Sequence, residues 1–94
     1  MSSPEVLERP TNGKTAGRYM TVIFNNDHTP MDLVIATVMA ATKCDFDEAY
    51  IETWEAHNYG QAPVHFGSKT VCDEVSTVIE SIGVQTEVRR EWDD

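Results

Sequence analysis

The stretch Asn25-Asn26-Asp27-His28-Thr29-Pro30 constrains this chain most, because it separates two segments of different periodicity. Before it, Tyr19 to Phe24 is a run rich in aromatic and β-branched residues, the composition of a strand. After it, Met31, Val34, Ile35, Val38, Met39 and Thr42 recur at helical spacing and form one apolar face. The residues between are turn formers, and Pro30 carries the fixed φ favoured at the first position of a helix. Thr29 is then the expected N-cap, with Asp32 three residues on in a variant of the capping box. A strand has to end and a helix begin within these six positions.

The rest of the chain continues the alternation. Asp45, with Glu48 three residues later, opens a second helix whose expected inward stripe is Phe46, Ala49, Tyr50, Thr53, Trp54 and His57. Asn58 and Gly60 are suited to stopping it. Residues 62–66 form a short expected strand. Ser68 opens a third helix with Val71, Val75, Val78, Ile79 and Ile82 facing inward and Gly83 as its C-cap. Residues 84–88 alternate as a last strand, and residues 89–94 read as a charged tail. Residues 1–17 have Leu7 as their one large aliphatic side chain and are expected to form a flexible arm ahead of a single domain, 18–94. The fold class is α+β, in the order β-α-α-β-α-β, with one sheet covered by helices. Strand order does not follow from the pattern.

Ninety-four residues suit one compact domain. The net charge of −9 argues against nucleic acid and against an anionic membrane surface, both of which need clustered Lys and Arg. No stretch approaches the ~20 apolar residues of a membrane span, and no apolar signal segment opens the chain, so a cytoplasmic protein is expected. Cys44 and Cys72 read as reduced thiols, Cys72 as a small buried hydrophobe.

Conventional catalytic signatures are absent: there is no GxSxG, no phosphate-cradling glycine loop and no HExxH. His28, His57 and His65, taken with Cys44 or Cys72, match no standard zinc spacing, and nothing near Cys44 lowers a thiol pKa. Neither an enzyme nor a metal or cofactor site is expected. Two features stand apart, the polar cluster between strand and helix and His57 on the second helix. Residue chemistry alone favours the plain reading of both, the cluster as a turn with a cap and His57 as a core-edge histidine bonded to backbone.

The segment Val22-Ile23-Phe24-Asn25-Asn26-Asp27-His28-Thr29-Pro30-Met31 closely resembles the signature of the ClpS family, a hydrophobic strand followed by Asn-Asp-Asp-(Tyr/His)-Thr-Pro-Met. Ala49-Tyr50 and His57 fall where that family carries its alanine–aromatic pair and its histidine, and the similarity runs from about Tyr19 to Glu91. The resemblance implies a non-enzymatic adaptor. It would bind proteins by a bulky hydrophobic first residue (an N-degron: Leu, Phe, Tyr or Trp) and deliver them to a Clp AAA+ unfoldase, with residues 1–17 as a tether. By the same resemblance Asn25, Asp27 and His57 would accept the three N–H donors of the substrate's α-ammonium group. Phe24, Thr29, Met31, Val34, Thr53 and Ala56 would line the side-chain pocket, with Met31 excluding the β-branched Ile and Val.

The chain departs from the family pattern in three ways. Asn26 replaces the usual first aspartate, which removes a negative charge. Thr53 and Ala56 replace a common methionine and valine, which implies a roomier, more polar floor and a preference shifted toward larger aromatics. On the helix expected to meet the unfoldase, Lys69 and Glu74 stand in reversed charge order, so a ClpA-like and a ClpC-like partner both remain open. The alternatives are a ClpS-like interaction domain that has lost or altered N-degron specificity, and an enzyme or metal protein using His57 with Cys44. The first draws on the likeness of this element order to the C-terminal domain of the ribosomal stalk protein. The presence of Asn25, Asp27 and His57 together speaks against such a loss.

Overall fold

A computed structural model of the chain describes residues 18–91, so the expected arm, residues 1–17, and the last three residues lie outside it. The elements are β1 (Tyr19–Phe24), α1 (Met31–Thr42), α2 (Phe46–Tyr59), β2 (Gln61–Gly67), α3 (Lys69–Glu80) and β3 (Thr86–Arg90), in the expected order. The sheet order is β2-β1-β3, with β1 antiparallel to both neighbours. Each long excursion therefore returns beside β1: the α1–α2 hairpin leads into β2, and α3 carries the chain across to β3. Val64 is the extra residue of a β-bulge, since Thr21 pairs with His65 and Val22 with Pro63. Pro63 is tolerated because β2 is an edge strand.

The helices cover one face of the sheet. Ile23, Ala62 and Val64 share a core with Val34, Ile35 and Val38 of α1, Ala49 and Ala56 of α2, and Val75 and Ile79 of α3. Thr21 is fully buried on this face, where its Oγ1 donates to the Cys72 carbonyl of α3 at 2.9 Å. Val22 alternates to the opposite face, yet is only 2% exposed. The Arg89 Nη2 reaches both Glu87 Oε1 (2.7 Å) and Gln61 Oε1 (3.2 Å), laying a polar strap over that side of the sheet. Arg89 and Arg90 thus belong to β3, and the tail read from residue 89 onward is corrected. Pairing starts later than the alternation implied because Val84 is buried in the core before the strand begins.

Three further readings are corrected. Thr29 does not cap α1: Pro30 occupies the cap position without a side-chain bond, and its carbonyl accepts from the N–H groups of Leu33 and Val34, both at 3.1 Å. The Thr29 hydroxyl instead donates to the Ile82 carbonyl at 3.0 Å, a tertiary bond invisible to local pattern. Among the described residues Asp32 accepts only from the adjacent Leu33 N–H. On α2 the buried side is Ala49, Thr53 and Ala56. These small residues let the helix approach closely. Phe46, Tyr50 and Trp54 stay 42–54% exposed; Phe46 stacks on Tyr50 at 6.0 Å, and Trp54 meets Tyr59 edge-on at 5.8 Å. His57 is exposed, so it is no core-edge histidine. On α3 the buried stripe is Cys72, Val75 and Ile79, while Val71 and Val78 face outward. The caps at Asp45 and Ser68 form as read: the Asp45 carboxylate accepts from Glu48 N–H (2.9 Å) and the Ser68 hydroxyl from Val71 N–H (3.2 Å).

Glu52, half-buried on α2, has a carboxyl oxygen that is buried without a hydrogen-bond partner among the described residues. Burial, followed by the Glu48 and Glu55 carboxylates on the same helix, pushes its pKa up from 4.5 to about 8. Because the folded value lies above the unfolded one, protonated Glu52 favours the fold below about pH 4.5, and this contribution is lost as pH rises through about 8. Glu52→Gln is therefore expected to stabilise the protein at pH 8 by about 1–2 kcal/mol, a figure reduced for the half-exposed position. At pH 4 the gain should be close to nil. Urea midpoints at the two pH values measure the difference.

Candidate functional site

The end of β1 is anchored to both neighbours. Phe24 N–H donates to the Gln85 carbonyl (3.0 Å) and Asn25 N–H to the Gly60 carbonyl (2.9 Å), just beyond the C-terminus of α2. Gly60 adopts φ 96°, in the left-handed region, which turns the chain from α2 into β2 beside β1. The polar loop that follows Phe24 is thereby held against the last turns of α2 and against the segment entering β3.

Within the loop Asn26 is the organising residue, a role the sequence reading missed. Its Oδ1 accepts from His28 N–H and Thr29 N–H, an Asx-type turn, while its Nδ2 donates to Thr29 Oγ1 (3.0 Å) and the Gly83 carbonyl (2.7 Å). An aspartate could accept as Asn26 does but could not donate. The Asx-turn composition of the cluster was the available signal; the long-range bond to Gly83 had none. Gly83 itself sits at φ 89°, where a side chain is disfavoured.

Loop, helix end and strand approach border a half-open cavity of about 220 Å³. Phe24, Thr29, Met31, Val34, Thr53 and Ala56 all line it, as do Asn25, Asp27 and His57; Ile23, Asn26 and Val84 complete the lining. Its size suits a single side chain with its backbone rather than a drug-sized cofactor. Asn25, Asp27 and His57 are exposed, and their side chains form no hydrogen bond or ion pair with another described residue. Asp27 and His57 are the ionisable side chains of the lining, and no Lys or Arg is among them. The arrangement offers an amide oxygen, a carboxylate and a ring nitrogen beside an apolar recess of Ile23, Val34, Ala56 and Val84.

Lys69 and Glu74 lie elsewhere. Both are exposed on α3, and Lys69 Nζ pairs with Asp73 at 3.0 Å. The C-terminal end of α3 leads to Ile82, which meets Thr29 at the site, so Lys69 stands a helix length away, about 18 Å. Among the described residues no three His, Cys, Asp or Glu side chains gather to hold a metal ion, and no helix is long and apolar enough to cross a membrane.

The same chain can be set beside known proteins. At 18% identity, the structure of Agrobacterium tumefaciens ClpS2 bound to L-phenylalaninamide superposes with a TM-score of 0.76, covering 81% of this chain and 99% of that one, which establishes a shared fold. The E3 ubiquitin-protein ligase UBR1 is 33% identical over 78 residues in Homo sapiens and 32% in Mus musculus. The matched region is 83% of this chain, which spans only 4% of the length of those two proteins. A family model described as ATP-dependent Clp protease adaptor protein ClpS matches residues 14–87. By that match, the chain belongs to the ClpS family of Clp protease adaptors.

Proposed function

We propose that the protein is a non-catalytic adaptor that captures substrates by a free N-terminus bearing Leu, Phe, Tyr or Trp and delivers them to a Clp AAA+ unfoldase. The observation that carries this reading is the placement of three acceptors, Asn25, Asp27 and His57, which have no side-chain partner among the described residues, around an otherwise largely apolar recess. An α-ammonium group has three N–H donors and one positive charge. One carboxylate with two neutral acceptors matches that charge without stranding excess negative charge. The L-phenylalaninamide held by A. tumefaciens ClpS2 is a free amine next to an aromatic side chain, the chemistry the recess is suited to take.

Charge-assisted hydrogen bonds contribute about 1.5–3 kcal/mol each, and burying a Leu or Phe side chain adds roughly as much again. Association and ordering costs subtract from the sum, which leaves binding near −8 kcal/mol, about micromolar. Neither half suffices alone. Met31, at the rim, would crowd a branched Cβ and exclude Ile and Val. Lys69 and Glu74, which do not line the cavity, would face the unfoldase, ClpA-like or ClpC-like. Cys44 and Cys72 are free, which accords with work in the reducing cytoplasm.

Fluorescence anisotropy of short peptides, free or acetylated at the amine, tests the reading. Peptides starting with free Leu, Phe, Tyr or Trp are expected to bind at micromolar concentrations. Acetylated ones, and those starting with Ile or Val, should bind at least about 10-fold more weakly. Equal binding of acetylated and free peptides would point to a ClpS-like interaction domain with another ligand.

A further inference from the structure

One residue of the cavity wall carries a polar atom that the reading above leaves without a task. Thr53 lines the cavity and is 6% exposed, and its Oγ1 is buried with no hydrogen-bond partner among the described residues. The other threonines of the helix interiors behave differently. Thr37 donates to the Leu33 carbonyl (2.8 Å), Thr42 to Val38 (2.9 Å) and Thr77 to Asp73 (3.0 Å), each four residues back. Thr53 has the Ala49 carbonyl in the same relative position and makes no such bond. Of the other lining side chains, Ile23, Val34, Ala56 and Val84 offer no donor or acceptor, and those of Asn26 and Thr29 are engaged with each other and with the Gly83 and Ile82 carbonyls.

We propose that Thr53 is a specificity-determining residue, which makes the cavity prefer a first side chain ending in a hydroxyl, tyrosine ahead of phenylalanine. The inference rests on the reading that the cavity receives the first side chain of a free N-terminus. A tyrosine whose phenol is buried in the recess gives up its water partners and must find another; a phenylalanine has none to give up. Threonine in a helix divides between two χ1 rotamers, so the Thr53 hydroxyl can turn toward an arriving phenol without movement of the backbone. Pairing then relieves two groups at once, since phenylalanine leaves Thr53 as unpaired as before. A site containing a buried hydrogen-bonding group discriminates against the analogue that lacks its partner.

The test uses peptides of one sequence that begin with free Phe, Tyr or 4-methylphenylalanine, the last having a tip of hydroxyl size that cannot hydrogen-bond. Each is titrated by anisotropy against the full chain, Thr53→Val and Thr53→Ser. The full chain is expected to bind the Tyr peptide about 5- to 10-fold tighter than either of the others, the effect of one neutral hydrogen bond. Thr53→Val should bring Tyr and Phe within about twofold of each other, and Thr53→Ser should keep the ranking. Equal Tyr and Phe affinities in the full chain, or a Tyr preference that survives Thr53→Val, would overturn the role of Thr53 while leaving N-terminal recognition intact. If no free-amine peptide bound, both would fall. Should Thr53→Val not fold, as judged by its thermal melt, Thr53→Ala takes its place in the same comparison, and a Tyr preference that survives it overturns the role of Thr53.

Discussion

Asp27→Ala is expected to weaken binding of a free-amine Phe or Tyr peptide by roughly 10- to 100-fold, the effect of losing one charge-assisted hydrogen bond together with its carboxylate. His57→Ala should cost about 10-fold, since a neutral acceptor is removed from the same cation. Both side chains are exposed and form no bond with another described residue, so neither substitution strands a partner in the free protein. Stability should therefore stay within about 0.5 kcal/mol of the parent, and anisotropy with a parallel urea titration separates the two quantities. The two substitutions act on one ammonium group, so their effects should not add. A double variant close to the Asp27→Ala value would be the signature of a shared ligand atom. Unchanged affinity in both single variants would remove the α-amine from this end of the cavity.

Asn26 calls for the opposite pattern, a large effect on the fold that reaches binding through geometry. Asn26→Ala removes four hydrogen bonds that hold the loop to itself and to Gly83, and should cost about 2–3 kcal/mol in urea unfolding. Asn26→Asp keeps the two accepted bonds and loses the two donated ones, and it sets a carboxylate against the Gly83 carbonyl. Its expected cost is smaller, about 1–2 kcal/mol. Stability of the Asp variant equal to the parent would mean that the amide donors contribute nothing. The negative charge that Asn26 removes relative to the family pattern has a counterpart in the structure: the amide donates to a carbonyl that a carboxylate cannot serve.

Periodicity gave the number, kind and order of the elements, because each strand and helix is bounded by residues whose backbone preferences are local: Pro30, Asp45, Gly60 and Ser68. It failed on phase. On α2 the spacing is helical and Ala49 and Thr53 do face inward, but the expected stripe is turned too far toward the large side chains Phe46, Tyr50 and Trp54. A small domain instead buries the alanine side and leaves the aromatics to stack on one another. The cap of α1 was misread for a related reason: the Thr29 hydroxyl is engaged 53 residues away, and no window of neighbours contains that partner.

The cavity was legible only through the signature segment. Residue chemistry left Asn25-to-Thr29 as a turn and His57 as a core histidine. What brings them together is the strand order, with β1 in the middle, so that the end of α2 and the entry to β3 return on either side of Phe24. That order is a tertiary outcome with no local sequence code. The Thr53 hydroxyl was legible as a polar substitution, but its lack of a helical partner was not.

The lining of the cavity comes from three stretches, Ile23 to Val34, Thr53 to His57, and Val84, that meet only once the sheet has closed. No excised fragment carries the whole receptor, and ligand affinity doubles as a gauge of the folded fraction. Apparent affinity falls in proportion to the competent population, so a variant half unfolded would look only about twofold weaker. A tenfold loss by instability alone would need about nine molecules in ten unfolded, which a thermal melt would reveal at once. Saturating ligand should in turn raise the melting temperature of any variant that still binds, which gives a single titration the power to tell a broken contact from a broken fold.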